Sequence, residues 1–220
     1  MLLNSQERLI TTLHTKKGRM RNERLLVEGE KNVKAAKDFI DFTFTEKSTK
    51  NFEKLVTTDT PQKIAAVAKL PRFTEKDVNK KPTIVILDHV QDPGNVGAIL
   101  RLCQGFNASL YLIECADPTN PKVVRSSSGA IFSVPWKEIP KNIANEFIER
   151  TKRPIYKLEK KKDSSAEIPN EKNIVLIAGS EGTGITLDIE GTSITIPHDE
   201  RLESLNVGNA LAIILSKRFS

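Results

Sequence analysis

The sequence predicts an α/β protein built around a parallel sheet, and three observations predict it. The runs TIVILD (83–88), ASLYLIE (108–114) and NIVLIAG (173–179) are continuously apolar, as strands buried on both faces must be. Segments with helical apolar spacing alternate with them. Each of three strand ends opens into a polar loop: DPGN at 92–95, GSEGTG at 179–184 and IPHDERLESLNVG at 196–208. Ligands of such sheets sit outside the carboxyl ends of the strands, so these junctions are the candidate functional loops.

Taken in order, Leu9, Ile10 and Leu13 predict a helix over 5–14, with Asn4 or Ser5 as N-cap. HTKKGRMRNER (14–24) reads as a basic surface loop. RLLVEG (24–29) predicts a short buried strand, 30–38 a helix, DFIDFTFT (38–45) a strand and 47–55 a helix. IAAVAKL (64–70) is either strand or helix, stopped by Pro71. Residues 1–70 thus form a small α/β unit. PRFTEKDVNKKP (71–82), polar and flanked by Pro, reads as a linker. Residues 83–220 make the second domain. After TIVILD come a helix over 95–106, the strand 108–114, a short helix or turn leading into a strand over 123–136, a helix over 141–152 and a strand over 154–159. EKKKDSS (159–165) is a charged, solvated loop. Strands at 173–179 and 193–197 and a terminal helix over 205–218 complete the pattern.

Of the 220 residues, 38% are hydrophobic and 28% charged, with a net charge of +6. No apolar run approaches the ~18 residues of a membrane span, and MLLNSQERLI lacks the layout of a signal peptide. Cys103 and Cys115 lie in apolar contexts and read as reduced thiols of a cytoplasmic protein. His14, His89 and His198 stand far apart, so no metal site is expected. Residues 1–82 hold 18 Lys and Arg against 11 Asp and Glu, a net +7, whereas 83–220 hold 16 against 17, a net −1. Lys16, Lys17, Arg19, Arg21 and Arg24 cluster against Glu23 alone. Clustered cations gain from counterion release on nucleic acid. Aromatic residues make up only 5%, so no base-stacking platform is evident.

GSEGTG alone is weak. Its glycine order is not that of a dinucleotide fold, and it lacks the Lys-Ser/Thr of a P-loop. ESLN (203–206) alone is equally a helix cap with Ser204 as the acceptor. In order, however, LDHVQDPGNVGAILR (87–101), IVLIAGSEGTGI (174–185) and ITIPHDERLESLNVGNALAI (194–213) resemble the three motifs of the SpoU (TrmH-like) RNA methyltransferases of the SPOUT superfamily. NPKVVRSSSGAIFSVP (120–135) resembles the family's intermediate stretch. LLVEGEKNVKAA (25–36) and TPQKIAAV (60–67) resemble its small substrate-binding domain, akin to an RNA-binding ribosomal protein.

The resemblance implies methyl transfer from S-adenosylmethionine to a ribose 2′-hydroxyl of structured RNA, ribosomal or transfer. It implies a trefoil knot in the C-terminal part, an exception to the rule against knots, and a homodimer. The cofactor would be held by Ala178, Gly179, Gly182, Ile196, Ser204 and Leu205, with Gly184 also giving close backbone approach. Asn95, Arg101, Glu181, Ser204 and Asn206 would form the catalytic group. The resemblance gives Arg101 the removal of the hydroxyl proton. An arginine pKa above ~12 fits equally a role in gripping phosphate and polarising the hydroxyl, with Asn95 orienting either Arg101 or the hydroxyl. Arg125 is either a phosphate contact or a structural ion-pair partner. Asn209 and the charged His198, Asp199 and Glu200 depart from the family pattern. Two rival readings remain: an RNA-binding protein that keeps the fold without turnover, and a dinucleotide-dependent oxidoreductase. The intact motif residues argue against the first, the glycine order against the second.

Overall fold

The computed structural model describes all residues except 162, 163, 168, 200 and 220. Glu200 and part of the 159–165 loop therefore lie outside the described residues.

The sequence-predicted strands assemble into two sheets. The first is antiparallel and three-stranded. It contains β1 (Arg24–Glu28), β2 (Ile40–Thr45) and β3 (Ile64–Lys69) in the order β1-β3-β2. IAAVAKL, ambiguous by pattern, is thus the central strand. Its alternate residues serve two cores: Ala65 and Val67 face α1 (Asn4–Leu13) and α4 (Phe52–Leu55), while Ala66 and Ala68 face the rest of the molecule. The first helix starts one residue earlier than expected. Its N-cap is Leu3, whose N–H donates to Gln6 Oε1 at 2.9 Å, so neither Asn4 nor Ser5 caps it.

Two stretches read as irregular are helices. Within 14–24, α2 (Lys16–Asn22) is capped by Thr15, whose hydroxyl accepts from the Gly18 N–H at 3.1 Å. Glu23 ends it in the left-handed region, with φ 52°. After β1 comes α3 (Glu30–Ala35), whose Asn32 and Val33 are buried. Within 71–82, α5 (Glu75–Asn79) is capped reciprocally by Thr74 and Asp77 and buries Val78 completely. Arg153 donates to the Asn79, Lys81 and Pro82 carbonyls. The expected linker is therefore fastened to the second sheet.

That sheet is six-stranded and all parallel. It contains β4 (Thr83–Asp88), β5 (Ala108–Ile113), β6 (Trp136–Glu138), β7 (Ile155–Leu158), β8 (Ile174–Gly179) and β9 (Thr192–Ile194), in the order β6-β5-β4-β8-β7-β9. Every residue of β4 and β5 is buried, which explains their unbroken apolar runs. Val85, Leu87, Leu110 and Leu176 point to one face, under α6 (Pro93–Gly105), α7 (Pro121–Ser126) and α9 (Val207–Phe219). Ile84, Ile86, Tyr111 and Ile177 point to the other, under α8 (Lys141–Glu149) and Val78. The core under α6 and α7 continues into Leu25, Val27, Val33 and Ala36 of the N-terminal unit. After β9, at the sheet edge, the chain returns to lay α9 on α6 and β8 in the middle of the sheet. The strand order reverses between β4 and β8, the kind of junction where α/β sheets open a crevice.

Candidate active site

The carboxyl ends of β4 and β8 bring the first two motifs side by side, and the start of α9 brings the third. Asp92 caps α6 by accepting the Asn95 N–H at 2.8 Å, which turns the Asn95 side chain toward β8. There Asn95 Nδ2 donates to Glu181 Oε1 at 3.2 Å. Asn206 Nδ2 donates to the same oxygen at 3.0 Å and to Asn95 Oδ1 at 3.1 Å. The Val207 N–H adds a third donor to Glu181 Oε1 at 3.3 Å. A carboxylate at a helix N-terminus is favoured by the free N–H groups and the dipole there. One closed triangle therefore joins residues separated by up to 111 positions.

Beside the triangle lies a cavity of about 390 Å³, within the size range of small-molecule sites. Ala178, Gly179, Ile196, Ser204 and Leu205 line it, as the motif reading expects; so do Glu181 and Gly184. Gly182 does not line it and has open space where a Cβ would stand. Thr183 and Gly184 take its place in the wall. The other two glycines of the loop have definite reasons. A Cβ on Gly179 would fall 2.0 Å from the Gly184 carbonyl oxygen, and Gly184 itself has φ +66°. The apolar walls with exposed backbone at both loops suit a flat heterocycle carrying polar edges.

Three further assignments change. Ser204 is not the cap of α9: Asn206 Oδ1 accepts from Gly208 N at 3.0 Å and from Asn209 N at 3.3 Å. Asn95 does not orient Arg101. Six helical positions separate them by about 9 Å along α6 and about 120° around it. Arg101 is exposed and lies outside the cavity wall, and its side chain has no hydrogen bond or ion pair among the described residues. Arg19 is not available to RNA. It is 3% exposed and donates to Thr119 Oγ1 at 2.9 Å, the Leu13 carbonyl at 2.8 Å and Asp117 Oδ2 at 2.6 Å.

Arg24 pairs with Asp41, and Arg125 with buried Glu28 at 2.8 Å and with Thr57; the ion-pair alternative for Arg125 is the one seen. Lys16 reaches Glu138 at 3.4 Å, while Lys17 and Arg21 are exposed with no ion pair among the described residues. Asp199 pairs locally with Arg201.

Several cavity residues fall outside the three motifs. Leu158, Glu159 and Lys160 line it from the end of β7; their position at a strand's carboxyl end was the available signal. Asp88, fully buried at the end of β4, accepts from the Thr186 and Leu187 N–H groups and the Thr186 hydroxyl, and so ties the 180–191 loop to the first motif. Both thiols are poor nucleophiles: burial pushes Cys103 up to about 12 and Cys115 up to about 11. Among the described residues no three His, Cys, Asp or Glu side chains converge as metal ligands, and no helix is long and apolar enough to cross a membrane.

The sequence profile of the SpoU rRNA Methylase family matches residues 82–216. The 23S rRNA (guanosine(2553)-2'-O)-methyltransferase RlmP of Bacillus subtilis is 30% identical, over 92% of this chain and 91% of its own length. An uncharacterized tRNA/rRNA methyltransferase of Synechocystis is 28% identical over 74% of this chain, which spans only 62% of that relative. A putative RNA methyltransferase of the TrmH family from Porphyromonas gingivalis superposes with a TM-score of 0.84 at 30% identity, covering 99% of this chain and 98% of its own. An AdoMet-bound rRNA methyltransferase from Sinorhizobium meliloti gives 0.80 at 25% identity, covering 99% and 95%. With a profile over most of its length, a relative aligned almost end to end, and its three motifs joined in one triangle, the chain belongs to the SpoU rRNA Methylase family.

Proposed function

We propose that this chain transfers a methyl group from S-adenosylmethionine to a ribose 2′-hydroxyl of RNA, with ribosomal RNA as the substrate. The observation that carries the proposal is the Asn95–Glu181–Asn206 triangle beside the cavity, in a chain of this family. The RlmP relative, named for 2'-O methylation of 23S rRNA and spanning nearly the whole chain, supports the choice of RNA. The AdoMet-bound relative supports the cofactor.

S-adenosylmethionine supplies an electrophilic methyl group on a positively charged sulfur. Ala178, Gly179, Ile196, Ser204 and Leu205 would hold it, and Glu181 would stand at the polar end of the cavity. The ribose hydroxyl must be oriented and relieved of its proton as it attacks. Glu181 Oε1 is already occupied by three donors, which leaves Oε2 to accept from the hydroxyl. Arg101 carries five donors and stays charged. Its lack of a partner within the described chain fits a clamp on the RNA phosphate better than a base.

The N-terminal unit, residues 1–70, would grip the RNA through exposed Lys17 and Arg21, with Lys16 beside them. The return of α9 to the middle of the sheet supports a knotted C-terminal part within 83–220. A second copy of the chain is the proposed partner. Ala210, Ala212 and Ile213 of α9 and Leu102 and Phe106 around the end of α6 remain half-exposed. An isologous contact would cover them and bring a partnerless Arg101 near another molecule. An RNA substrate supports a cytoplasmic location.

The test is to incubate the purified chain with labelled S-adenosylmethionine and ribosomal RNA from cells lacking it, and to map ribose methylation. One new 2′-O-methyl nucleotide is expected. Binding of RNA and cofactor with no transfer would favour a protein that keeps the fold without turnover. Light scattering at micromolar concentration tests the dimer, and a monomer mass with full activity would remove it.

A further inference from the structure

The charged residues in the cavity wall divide into two groups. Glu181 Oε1 is held by three donors. Glu159 Oε1 accepts the Ser193 hydroxyl and has Lys161 at 2.8 Å and Lys157 at 3.5 Å. His198 turns its Nδ1 to the Ile196 carbonyl oxygen at 2.6 Å. Lys160 and Glu203 differ from these. Both line the cavity and are exposed, and neither side chain has a hydrogen bond or ion pair among the described residues. They also come from separate segments: Lys160 follows β7, and Glu203 stands between β9 and α9. Neighbouring charges are engaged locally, Lys161 with Glu159 and Arg201 with Asp199. Among the described residues, the cavity thus presents one unpaired cation and one unpaired anion.

Water solvates both charges while the cavity is open. A ligand that fills it displaces that water, which is unfavourable for any charge left without a partner. A neutral ligand would satisfy neither charge. An RNA phosphate would satisfy Lys160 and be repelled by Glu203. A zwitterion satisfies both. Ile194, Ile196 and Leu205 supply apolar walls for the flat, uncharged part of the same ligand. Resting on the reading of this cavity as the cofactor site, we propose that Lys160 and Glu203 clamp the amino-acid tail of the cofactor, Lys160 donating to its α-carboxylate and Glu203 accepting from its α-ammonium group. Glu181, tied into the triangle, is left to the end at which the methyl group is transferred.

Two ligands isolate the tail: S-adenosylhomocysteine, and 5′-methylthioadenosine, which keeps the adenosine and the thioether but ends in a methyl group. Calorimetry on the full chain, without RNA, should show the wild type preferring S-adenosylhomocysteine by at least about tenfold. Lys160→Met keeps the aliphatic stem and Glu203→Gln keeps the shape, and both positions are exposed, so neither change disturbs the fold. Each should weaken S-adenosylhomocysteine about 3–10-fold and leave 5′-methylthioadenosine within about twofold. Lys160→Arg should restore most of the preference. A wild-type ratio in either Lys160→Met or Glu203→Gln would overturn the paired clamp. If Lys160→Met keeps that ratio while flattening the salt dependence of RNA binding, the lysine faces phosphate instead, and the proposal fails. Should the wild type bind neither compound, the cofactor reading of the cavity itself would fall.

Discussion

Asn206 works from both ends of one amide. Its Oδ1 caps α9, and its Nδ2 closes the triangle with Glu181 and Asn95. The two tasks come apart in variants. Asn206→Ala should cost about 1 kcal/mol of stability, the usual worth of an N-cap, and also slow methyl transfer. Asn206→Asp keeps the cap oxygen and sets a carboxylate against Glu181, so urea unfolding should stay near wild type while single-turnover rate drops. Arg101→Ala should lower that rate at least ~100-fold, the scale of a lost electrostatic contact in a transition state, with the cofactor dissociation constant within about twofold. Wild-type turnover in that variant would remove Arg101 from the chemistry. The sequence motif ESLN placed a cap here but put it on Ser204. Serine and asparagine are equally good caps, so only the helix start, fixed by packing of Val207 and Leu211, decides between them.

At the scale of elements, the 180–191 loop is held by one carboxylate. Asp88 closes β4 and receives three donors from Thr186 and Leu187, 98 and 99 positions away. No cation pairs with it among the described residues. Asp88→Asn weakens these bonds and turns an NH₂ group toward N–H donors, and should cost about 1–3 kcal/mol. Urea titration followed by calorimetry with S-adenosylhomocysteine checks this, with weaker binding expected beside the lower stability. The strands were legible because burial on both faces leaves an unbroken apolar run, as in TIVILD. The helices α2 and α5 were not. Each is short, and charge dominates the composition of both. Their signals were single residues, the caps Thr15 and Thr74 and the buried Val78, too few for a period to show.

Over the whole molecule, two ion pairs rivet the N-terminal unit to the sheet beneath it: Arg19 with Asp117, and Arg125 with Glu28. Arg19→Met takes a charged partner from the part-buried Asp117 carboxylate and should cost about 1–3 kcal/mol, leaving the salt dependence of RNA binding unchanged. Lys17→Glu with Arg21→Glu should leave stability nearly unaltered and flatten the slope of log K against log salt by about 1–2 units. Burial opposes the charge on Asp117, but hydrogen bonds from Thr119 and Arg19 outweigh it and hold the carboxyl below its usual range. Its contribution is present above about pH 4 and is lost as pH falls through the lower folded value. Asp117→Asn should therefore flatten the loss of stability on acidification below about pH 4, measured by urea midpoint. The basic cluster was visible in the sequence; its division was not. Lys17 and Arg21 are one helical turn apart on α2, whereas Arg19 faces the other way, and that sorting exists only once 16–22 is known to be a helix.

The triangle that joins Asn95 to Asn206 also sets a clock during synthesis. At roughly 5–20 residues per second, the 111 positions between them take about 5–22 seconds to translate. Throughout that interval Asn95 has no partner from the third motif and the cavity has one wall missing. A chain cut short between β9 and residue 206 holds every strand of the sheet and lacks the third motif's Asn206. Activity in this chain should appear all at once, never in proportion to length.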